Sequence, residues 1–452
     1  MQANETRIVV VGGGLGSEAT VRRLAKQKRA GVTIVYVRGM PYVEHLWASP
    51  SLICEPSTLA RSISPNKASF EIPGVQYVYG LAQAVRDRQV LEVKLLGADV
   101  AEPALLRFDY LVAATGFDMA LSARPGTTLS ERRAWLEKVH NALKAATNTV
   151  LIAGGGSIGV ETAGYIASWG ILKAGTTVTL VSASDSILPG DATQTQEAAA
   201  AELRRLGVRV ITGARVIADA AALADQVALA PGSRYALSNG ETVVADVYVP
   251  AYASGPRTRW LESGAFGGAL DGKTRRIVVD QTLRSTSHPA LFAVGAVSSA
   301  HVLGSLPNVE EEAKTVAANI LTLCAAASAG AKPAVLQPLA KPMLSSTPYQ
   351  RVSKTFGMFK TESFGGGGML WLCGFPCVMA CPCVCLLEGI NPMVCGWCCA
   401  RPEGKGTADL LIAIGHGVGV AADTFKGWGE KPHEDGGAPP AAPAASTMGR
   451  LH

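Results

Sequence analysis

The chain has 452 residues, of which 48% are hydrophobic and 17% charged, so it is long enough to bury several cores in about two to four domains. Its 41 basic and 36 acidic residues give a formal net charge of +5 without a long basic run, which argues against a nucleic-acid-binding protein. The first residues lead directly into a strand, with no secretory or transit segment, and this predicts a cytoplasmic protein.

The predicted elements begin with a βαβ unit. Residues 6–14 are predicted to form a short buried strand, 17–29 a helix with one apolar stripe, and 32–37 a second strand. The later elements repeat this spacing and are predicted, in chain order, over 108–116 (strand), 130–146 (helix), 149–169 (strand, turn and helix), 176–182 (strand), 196–206 (helix), 207–213 (strand), 241–255 (strand) and 309–327 (helix).

This repetition predicts an α/β fold. It contains two Rossmann-like dinucleotide-binding domains, the second inserted in the first, followed by a divergent, cysteine-rich C-terminal domain. The predicted boundaries are 1–118 with 275–335 for the first domain, 119–274 for the second, 336–432 for the C-terminal domain with a cysteine-rich insert at 365–404, and 433–452 for a disordered tail.

The first glycine-rich turn, VVVGGGLGS, follows the first strand. In a G-x-G-x-x-G turn the first glycine permits a tight bend, the second lets the backbone approach a pyrophosphate, and the third allows the helix to pack closely on the strand. Gly12 and Gly14 occupy the first two positions, whereas Ser17 replaces the third glycine and Gly16 lies one residue early. At the end of the next strand, Tyr36 takes the place of an acidic residue that would bind the adenosine ribose.

The second turn, in VLIAGGGSIGVETAGY, matches the pattern fully with Gly154, Gly156 and Gly159. Ser182 stands at the ribose position of this copy. Without a carboxylate there, a ribose 2′-phosphate meets no charge repulsion, so both NADH and NADPH are retained as ligands. Two such turns, each between a β-branched strand and a helix, strongly indicate dinucleotide binding.

These motifs, with FDYLVAATG, ADVYVPAYASGP, RIVVDQTLRS and LFAVGAVSS, resemble the pyridine-nucleotide-dependent FAD oxidoreductases over about residues 6–327. Within that family of flavoproteins with two dinucleotide-binding domains, they most resemble the apoptosis-inducing-factor-like and ferroptosis-suppressor-like branch, which is similar to type II NADH dehydrogenases. The resemblance implies FAD in the first domain, NADH or NADPH in the second, and hydride transfer from nicotinamide to flavin and on to a quinone or another small electron acceptor.

The resemblance also implies site residues. Glu161 would orient the nicotinamide, although an ordinary acid complementing the dipole at the start of its helix is the alternative. The cofactor contacts implied in this way are at Gly12, Gly13, Gly14, Leu15, Gly16, Ser17, Ala82, Thr115, Gly116, Gly295 and Ala296 for FAD, and at Gly154, Gly156, Ser157, Ile158 and Gly159 for NAD(P)H.

Three positions depart from the family pattern on the FAD side. Ala296 replaces the aspartate that follows LFAVG, Ser51 aligns near an arginine of many relatives, and Tyr36 replaces the ribose-binding acid. Each lost hydrogen bond costs about 1 to 3 kcal/mol, so a weak or empty flavin site is expected from these changes alone.

The cysteines are concentrated near the C-terminus. Cys54 stands alone before residue 324, which argues against dithiol chemistry and favours a small buried hydrophobe. The later cluster could supply thiolates to zinc or an iron–sulfur centre, form a hydrophobic S-acylated loop that dips into a membrane, or make a protein contact. Its metal-ligand candidates are Cys381, Cys383, Cys385, Cys395, Cys398 and Cys399.

Two functional hypotheses follow. The first is a membrane-associated, FAD-dependent NAD(P)H:acceptor oxidoreductase whose acceptor is a quinone reached through the cysteine-rich region. The second keeps the fold without flavin, as a scaffold or nucleotide-binding subunit that contacts a protein partner through its cysteine-rich module.

Overall fold

The computed structural model describes the greater part of the chain up to residue 339 and four strands beyond it. The described residues are 5–27, 30–44, 49–61, 63–64, 71–97, 102–190, 193–217, 226–301, 306–329 and 334–339, with the strand backbones 350–354, 359–364, 367–372 and 375–378. The six cysteines predicted as metal ligands, most of the predicted C-terminal domain (336–432) and the predicted tail (433–452) lie outside these residues.

The helices alternate with strands over much of the chain. In chain order they are α1 (Leu15–Lys26), α2 (Ser49–Leu52), α3 (Leu129–Ala145), α4 (Ser157–Ser168), α5 (Thr193–Arg205), α6 (Arg259–Glu262) and α7 (Leu306–Ala329). The strands, in chain order, are β1 (Thr6–Val11), β2 (Val32–Arg38), β3 (Val43–Glu44), β4 (Ile63–Ser64), β5 (Val75–Arg86), β6 (Val90–Leu95), β7 (Ala104–Arg107), β8 (Tyr110–Ala113), β9 (Phe117–Met119), β10 (Thr149–Ala153), β11 (Thr177–Val181), β12 (Val208–Ile211), β13 (Val216–Ile217), β14 (Ala228–Leu237), β15 (Thr242–Pro250), β16 (Ala253–Pro256), β17 (Leu291–Ala293), β18 (Gln350–Lys354), β19 (Phe359–Phe364), β20 (Gly367–Leu372) and β21 (Phe375–Val378).

The first sheet has seven strands in the order β17-β8-β1-β2-β5-β6-β7. Its first five strands are parallel, and β1 and β2 are nearly continuous runs of buried apolar residues, as expected for strands covered on both faces. Helices α1 and α7 cover one face through side chains such as Val21, Leu24 and Val316. This sheet and its helices form the first module.

The second sheet has six strands in the order β12-β11-β10-β15-β14-β13. Strands β12, β11, β10 and β15 are parallel, whereas β13 and β14 add an antiparallel extension. With helices α3, α4 and α5 this sheet forms the second module.

The strand order reverses beside β1 in the first sheet and beside β10 in the second. Open α/β sheets bind ligands at such switch points.

The predicted α/β class with two Rossmann-like sheets is confirmed. The hairpins β5–β6–β7 and β13–β14 were not predicted, because their strands carry mixed exposed and buried positions without a strong period. Strands β18 to β21 form a four-stranded antiparallel sheet, and β20 and β21 contain ten residues of the predicted insert. Within the described part of the chain, no helix combines the length and the apolarity needed to cross a bilayer.

The two modules are joined by two chain crossings that run side by side. Strand β9 carries the chain into the second module, β16 carries it back, and the two pair in antiparallel fashion. The boundary predicted at residue 274 stays a prediction. Trp260, Leu261 and Phe266, which precede it, pack in the core of the first module with Val85 and Phe108.

A segment of the first module packs against the second. Tyr42, Leu52 and Leu59 belong to the same buried cluster as side chains of α3 and α4. Within this contact the guanidinium of Arg132 donates to both carboxylate oxygens of Glu44, with N···O distances of 2.9 and 2.6 Å, and both side chains are buried. Breaking a buried pair of this kind is costly because it leaves one charge uncompensated, so the pair keeps the two modules in one arrangement.

Asp246 on β15 is the hydrogen-bond acceptor for three backbone N–H groups from two segments of the second module. Its carboxylate accepts N–H groups from Thr147 (2.7 Å), Asn148 (2.9 Å) and Gly232 (2.8 Å), and the side-chain amide of Asn148 (2.8 Å). Burial opposes ionisation, but these hydrogen bonds outweigh it and hold the pKa of Asp246 below its ordinary value. The ionised carboxylate thus stabilises the entry to β10 and the bulge of β14.

We expect the substitution Asp246→Asn to lower the free energy of unfolding by about 2 kcal/mol at pH 7, because an amide cannot accept all of these hydrogen bonds. A carboxyl whose pKa is lower in the folded than in the unfolded state stabilises the fold fully when the pH is above its unfolded-state pKa of about 3.9. This stabilisation is lost as the pH falls from there through the folded-state pKa. The difference between wild type and variant, measured by urea unfolding, should therefore shrink below about pH 4. The exposed Asp185→Asn variant is the control. A difference that stays constant with pH would contradict this account.

Candidate functional site

The first glycine turn, residues 12–17, brings the chain from β1 into α1. Gly12 has φ = 152° and donates its N–H to the Val37 carbonyl at 3.0 Å, and a Cβ there would collide with the Ala114 carbonyl oxygen. A Cβ on Gly16 would lie 3.1 Å from a methyl group of Val294. The glycine that appears one residue early in the sequence is therefore the one that allows α1 to pack against β17.

Ser17 fills the place of the missing third glycine. Its hydroxyl donates to the Gly14 carbonyl at 2.8 Å and lies 3.0 Å from the hydroxyl of Tyr36. Both side chains are buried, and burial raises the pKa of Tyr36. The side chain of Tyr36 is consequently part of the core beneath α1, and its hydroxyl is used within the protein.

The second glycine turn, residues 154–159, obeys the pattern more strictly. Gly154 has φ = 124°, and a Cβ there would lie 2.8 Å from the Ala251 carbonyl oxygen. A Cβ on Gly159 would collide with the carbonyl oxygen of Gly154, and one on Gly155 would collide with the hydroxyl of Ser182. Each of these positions requires glycine for a different contact.

The space over both turns is open. A Cβ built on Gly13, Gly14 or Gly156 meets no protein atom within 4 Å. The first amides of α1 and α4 have no partner within their own helix and point to this side, since each helix begins directly after its turn. Open space beside helix-start amides fits the pyrophosphate of a dinucleotide in each module.

The backbone register shows which residue stands at the ribose position, at the end of the second strand of each module. Gly12 and Gly154 donate to the carbonyls of Val37 and Val181, so Arg38 in the first module corresponds to Ser182 in the second. The interpretation that Tyr36 holds the ribose position is therefore wrong. The motif VTIVY resembles VTLVS, but the structural register is offset by two residues from this alignment, and two residues restore the same face of a strand.

Arg38 is surrounded by tyrosines. One of its guanidinium nitrogens donates to the Tyr79 hydroxyl at 2.8 Å, and its Cζ lies 5.1 Å from the ring centres of Tyr77 and Tyr79 and 5.8 Å from that of Tyr36. Only 8% of Arg38 is exposed. Arg38 was not predicted from the sequence. The signal that could have placed it at the strand end is the length of the apolar run that precedes it.

The ribose position of the second module is different. The Ser182 hydroxyl donates to the Ser186 carbonyl at 2.9 Å and accepts the N–H of Ser184 at 3.3 Å. The side chain is buried under the loop that follows β11, and no carboxylate or guanidinium stands at this position. An uncharged serine at this position neither repels nor attracts a ribose 2′-phosphate by its charge.

Gly295 and Ala296 follow β17 and come directly after Val294, the residue that packs against Gly16 of the first turn. The N–H of Gly295 donates to a carboxylate oxygen of Glu312 at 2.6 Å, and the other oxygen lies 2.7 Å from Nδ1 of His301. Glu312 and His301 are both buried, and neither was singled out from the sequence. A carboxylate from α7 therefore occupies the strand end at which the family aspartate is replaced by alanine.

Two predicted flavin contacts, Thr115 and Gly116, lie in the crossing between the modules. The Thr115 hydroxyl donates to the Arg257 carbonyl at 2.6 Å, and the carbonyl of Gly116, whose φ is 74°, accepts the N–H of Arg257. Arg257 also pairs with Asp118 at 2.5 Å. The Thr115 side chain thus helps to hold the crossing, which leaves the backbone of this residue for a cofactor contact.

The other predicted contacts are placed as follows. Ala82 lies in the part of β5 that has left β2 and pairs with β6. Glu161 is half-buried in the second turn of α4, which begins at Ser157, so it does not complement the helix start. Ser51 is buried in α2, and Cys54 is 2% exposed with its pKa raised by burial, in line with a small buried hydrophobe.

Within the described part of the chain, no group of three His, Cys, Asp or Glu side chains is arranged to hold a metal ion. The predicted zinc or iron–sulfur cysteines, at 381–399, lie outside it.

Comparisons with known proteins agree with this geometry. An FAD-dependent oxidoreductase of Flammulina velutipes, FVFD30, is 26% identical over 218 residues, which are 48% of this chain and 63% of that protein. The oxidoreductase ptaL of Pestalotiopsis fici is 26% identical over 336 residues, or 70% of this chain and 82% of that protein. The chain thus spans less than two thirds of the first of these relatives.

Among solved structures, the sulfide:quinone oxidoreductase of Aquifex aeolicus has the same fold, with a TM-score of 0.57 and 17% identity over 81% of this chain and 83% of that one. The narrower apoptosis-inducing-factor-like branch stays a prediction. The sequence pattern of one family, described as pyridine nucleotide-disulphide oxidoreductase, matches residues 6–328. Because this match covers well over half of the chain and both glycine turns, the protein belongs to the pyridine nucleotide-disulphide oxidoreductase family.

Proposed function

We propose that the protein is an FAD-dependent NAD(P)H oxidoreductase that passes electrons to a quinone-like acceptor. The observation that carries this proposal is the pair of open glycine turns at the switch points of two joined parallel sheets. An oxidoreductase needs two dinucleotides at a fixed separation, and the buried pair of Arg132 with Glu44 holds the two modules together. The FAD-dependent relative from Flammulina velutipes supports the same assignment.

The chain contributes binding and orientation to this reaction. In the first module the amides of residues 13–17 would hold the FAD pyrophosphate, and in the second those of Ser157, Ile158 and Gly159 would hold that of NAD(P)H. Glu161 would orient the nicotinamide from the second turn of α4. Bound together, the two cofactors supply hydride transfer and onward electron transfer. The buried contact of Tyr42, Leu52 and Leu59 with α3 and α4 would keep water out of the junction.

The acceptor and its location belong to the proposal as well. A quinone can accept electrons from a reduced flavin, and the Aquifex aeolicus protein with the same fold is a sulfide:quinone oxidoreductase. We propose that the apolar, cysteine-rich segment near the C-terminus brings the protein to a membrane surface or to a protein partner, while the bulk of the chain stays in the cytoplasm.

A second function is favoured by specific observations on the flavin side. The strand end at Ala296 lacks the family aspartate, the Gly295 N–H is already bonded to Glu312, and Arg38 stands at the ribose position. A protein with these features could bind only NAD(P)H, at the second turn, and serve as a flavin-free scaffold or nucleotide-binding subunit.

The absorption spectrum of the purified protein separates the two functions. We expect visible flavin bands and release of about one flavin per chain on denaturation, because backbone amides supply most of the pyrophosphate contacts. A colourless protein that takes up no added FAD would leave the flavin-free function. Metal analysis of the same sample tests the cysteine cluster, for which bound zinc or iron would support a metal centre.

The substitution Ala296→Asp tests the cause of a weak flavin site. The added carboxylate should tighten FAD binding by about tenfold, since a hydrogen bond to a charged group contributes about 1.5 to 3 kcal/mol. FAD titration followed by flavin fluorescence measures this change. The exposed Ala300→Asp variant adds the same charge four residues away and should leave the affinity as it is. An unchanged affinity in Ala296→Asp would show that another feature limits flavin binding.

The substitution Gly156→Val tests the second turn. Gly156 has φ = −74°, and its Cβ would enter space free of protein atoms, so we expect a normal melting temperature and a loss of NAD(P)H binding of at least about 100-fold. Calorimetric titration with NADH and NADPH measures the affinity. Gly272→Val, at another open glycine, is the matched control. Retention of wild-type affinity by Gly156→Val would exclude the second turn as the binding site.

A further inference from the structure

The charge at the ribose end of the first turn has the opposite sign from that of a plain dinucleotide site. In Rossmann-like folds an acid after the second strand bonds the ribose 2′-hydroxyl, whereas an arginine accommodates a ribose phosphate. The hydrogen bond from the Gly12 N–H to the Val37 carbonyl puts Arg38 at this place, beside the start of the first turn.

The guanidinium of Arg38 is held in a fixed orientation. It belongs to the end of β2, donates to the Tyr79 hydroxyl at 2.8 Å, and lies over three tyrosine rings within 5.8 Å. A guanidinium ordered in advance loses little side-chain entropy on binding, and its planar donors suit phosphate oxygens. The tyrosines thus hold a cation where the fold usually carries an anion.

The acidic side chain in the first turn of α1 does not restore the usual sign. Glu18, in the first turn of α1, is engaged by Arg22 in the next turn, with N···O distances of 2.5 and 3.1 Å. Glu18 and Arg22 thus offset each other and add no net charge beside Arg38. A phosphate with a charge near −2 would be attracted here, whereas a neutral ribose hydroxyl gains little.

We propose that the first turn binds an adenine nucleotide that carries a phosphate on its ribose, in preference to one with the unmodified ribose of FAD. The ligand chemistry is a ribose phosphomonoester beside a pyrophosphate or 5′-phosphate, as in the 2′-phosphate of NADP(H) or the 3′-phosphate of coenzyme A. This inference shares with the proposed function only the claim that the first turn binds a nucleotide. It makes such a nucleotide a competitor of flavin loading at that turn.

The test uses the full-length chain carrying Gly156→Val, so that ligands cannot bind at the second turn. Calorimetric titrations with 2′,5′-ADP, 3′,5′-ADP, 5′-ADP and FAD are compared. We expect one of the two bisphosphates to bind at least about tenfold more tightly than 5′-ADP, and the one that does so identifies the 2′ or the 3′ source. Equal affinities for all three adenosine diphosphates would overturn the proposal.

Two substitutions at Arg38 and one control complete the test. Arg38→Gln removes the charge and keeps much of the side-chain length, and it should abolish the preference for the bisphosphate. Arg38→Glu should reverse the preference and tighten FAD binding. Arg86→Glu, an exposed residue of β5, changes the charge of the same module away from the turn and should leave the order of affinities intact. Melting temperatures check that each variant is folded.

The outcomes separate this inference from the proposed function. FAD binding without any preference for a bisphosphate, or a preference that survives in Arg38→Gln, would overturn the inference and leave the oxidoreductase standing. A bisphosphate preference that disappears in Arg38→Gln, in a protein that takes up no FAD, would support the inference and remove the flavin from the proposed function.

Discussion

The site depends on a backbone contact that only glycine permits. At the end of β1 and again at the end of β10, the first glycine of each turn lies against a carbonyl of the neighbouring strand, from Ala114 in one module and Ala251 in the other. The positive φ at these glycines turns the chain sharply enough for a helix to begin within three residues of the strand. The helix-start amides are thereby aimed at the switch point of each sheet, where a dinucleotide would lie.

The sequence is sufficient to predict these backbone features. Gly12, Gly154 and Gly159 could be recognised because a steric requirement leaves a single residue type at each position, and the βαβ spacing then predicts the class of fold. Side-chain features were harder to predict. Arg38 was missed because nothing in a run of β-branched residues marks where a buried strand ends. A strand end that is predicted two residues too early still leaves every side chain on its expected face, so the alternation of faces does not reveal the error.

Residues that act through distant partners were beyond prediction. Glu312 reaches the Gly295 amide from another element 17 residues away, and His301 meets it only in the folded chain. Ser17 looks like a conservative loss of glycine, yet its hydroxyl bond to Tyr36 joins the two side chains into one buried unit. The packing of Trp260 and Phe266 in the core of the first module is likewise visible only in the folded chain.

The pairing of β9 with β16 also bears on how such a chain could arise. Both ends of the second module meet at one short antiparallel ribbon, fastened by Asp118, Arg257 and the hydroxyl of Thr115. A unit whose termini are adjacent can be inserted into a surface connection of another domain without pulling the host apart. Duplication of one nucleotide-binding unit, followed by insertion of the copy, would give this architecture in two genetic steps. The two ligand preferences could then diverge, since each copy keeps its own core and its own turn.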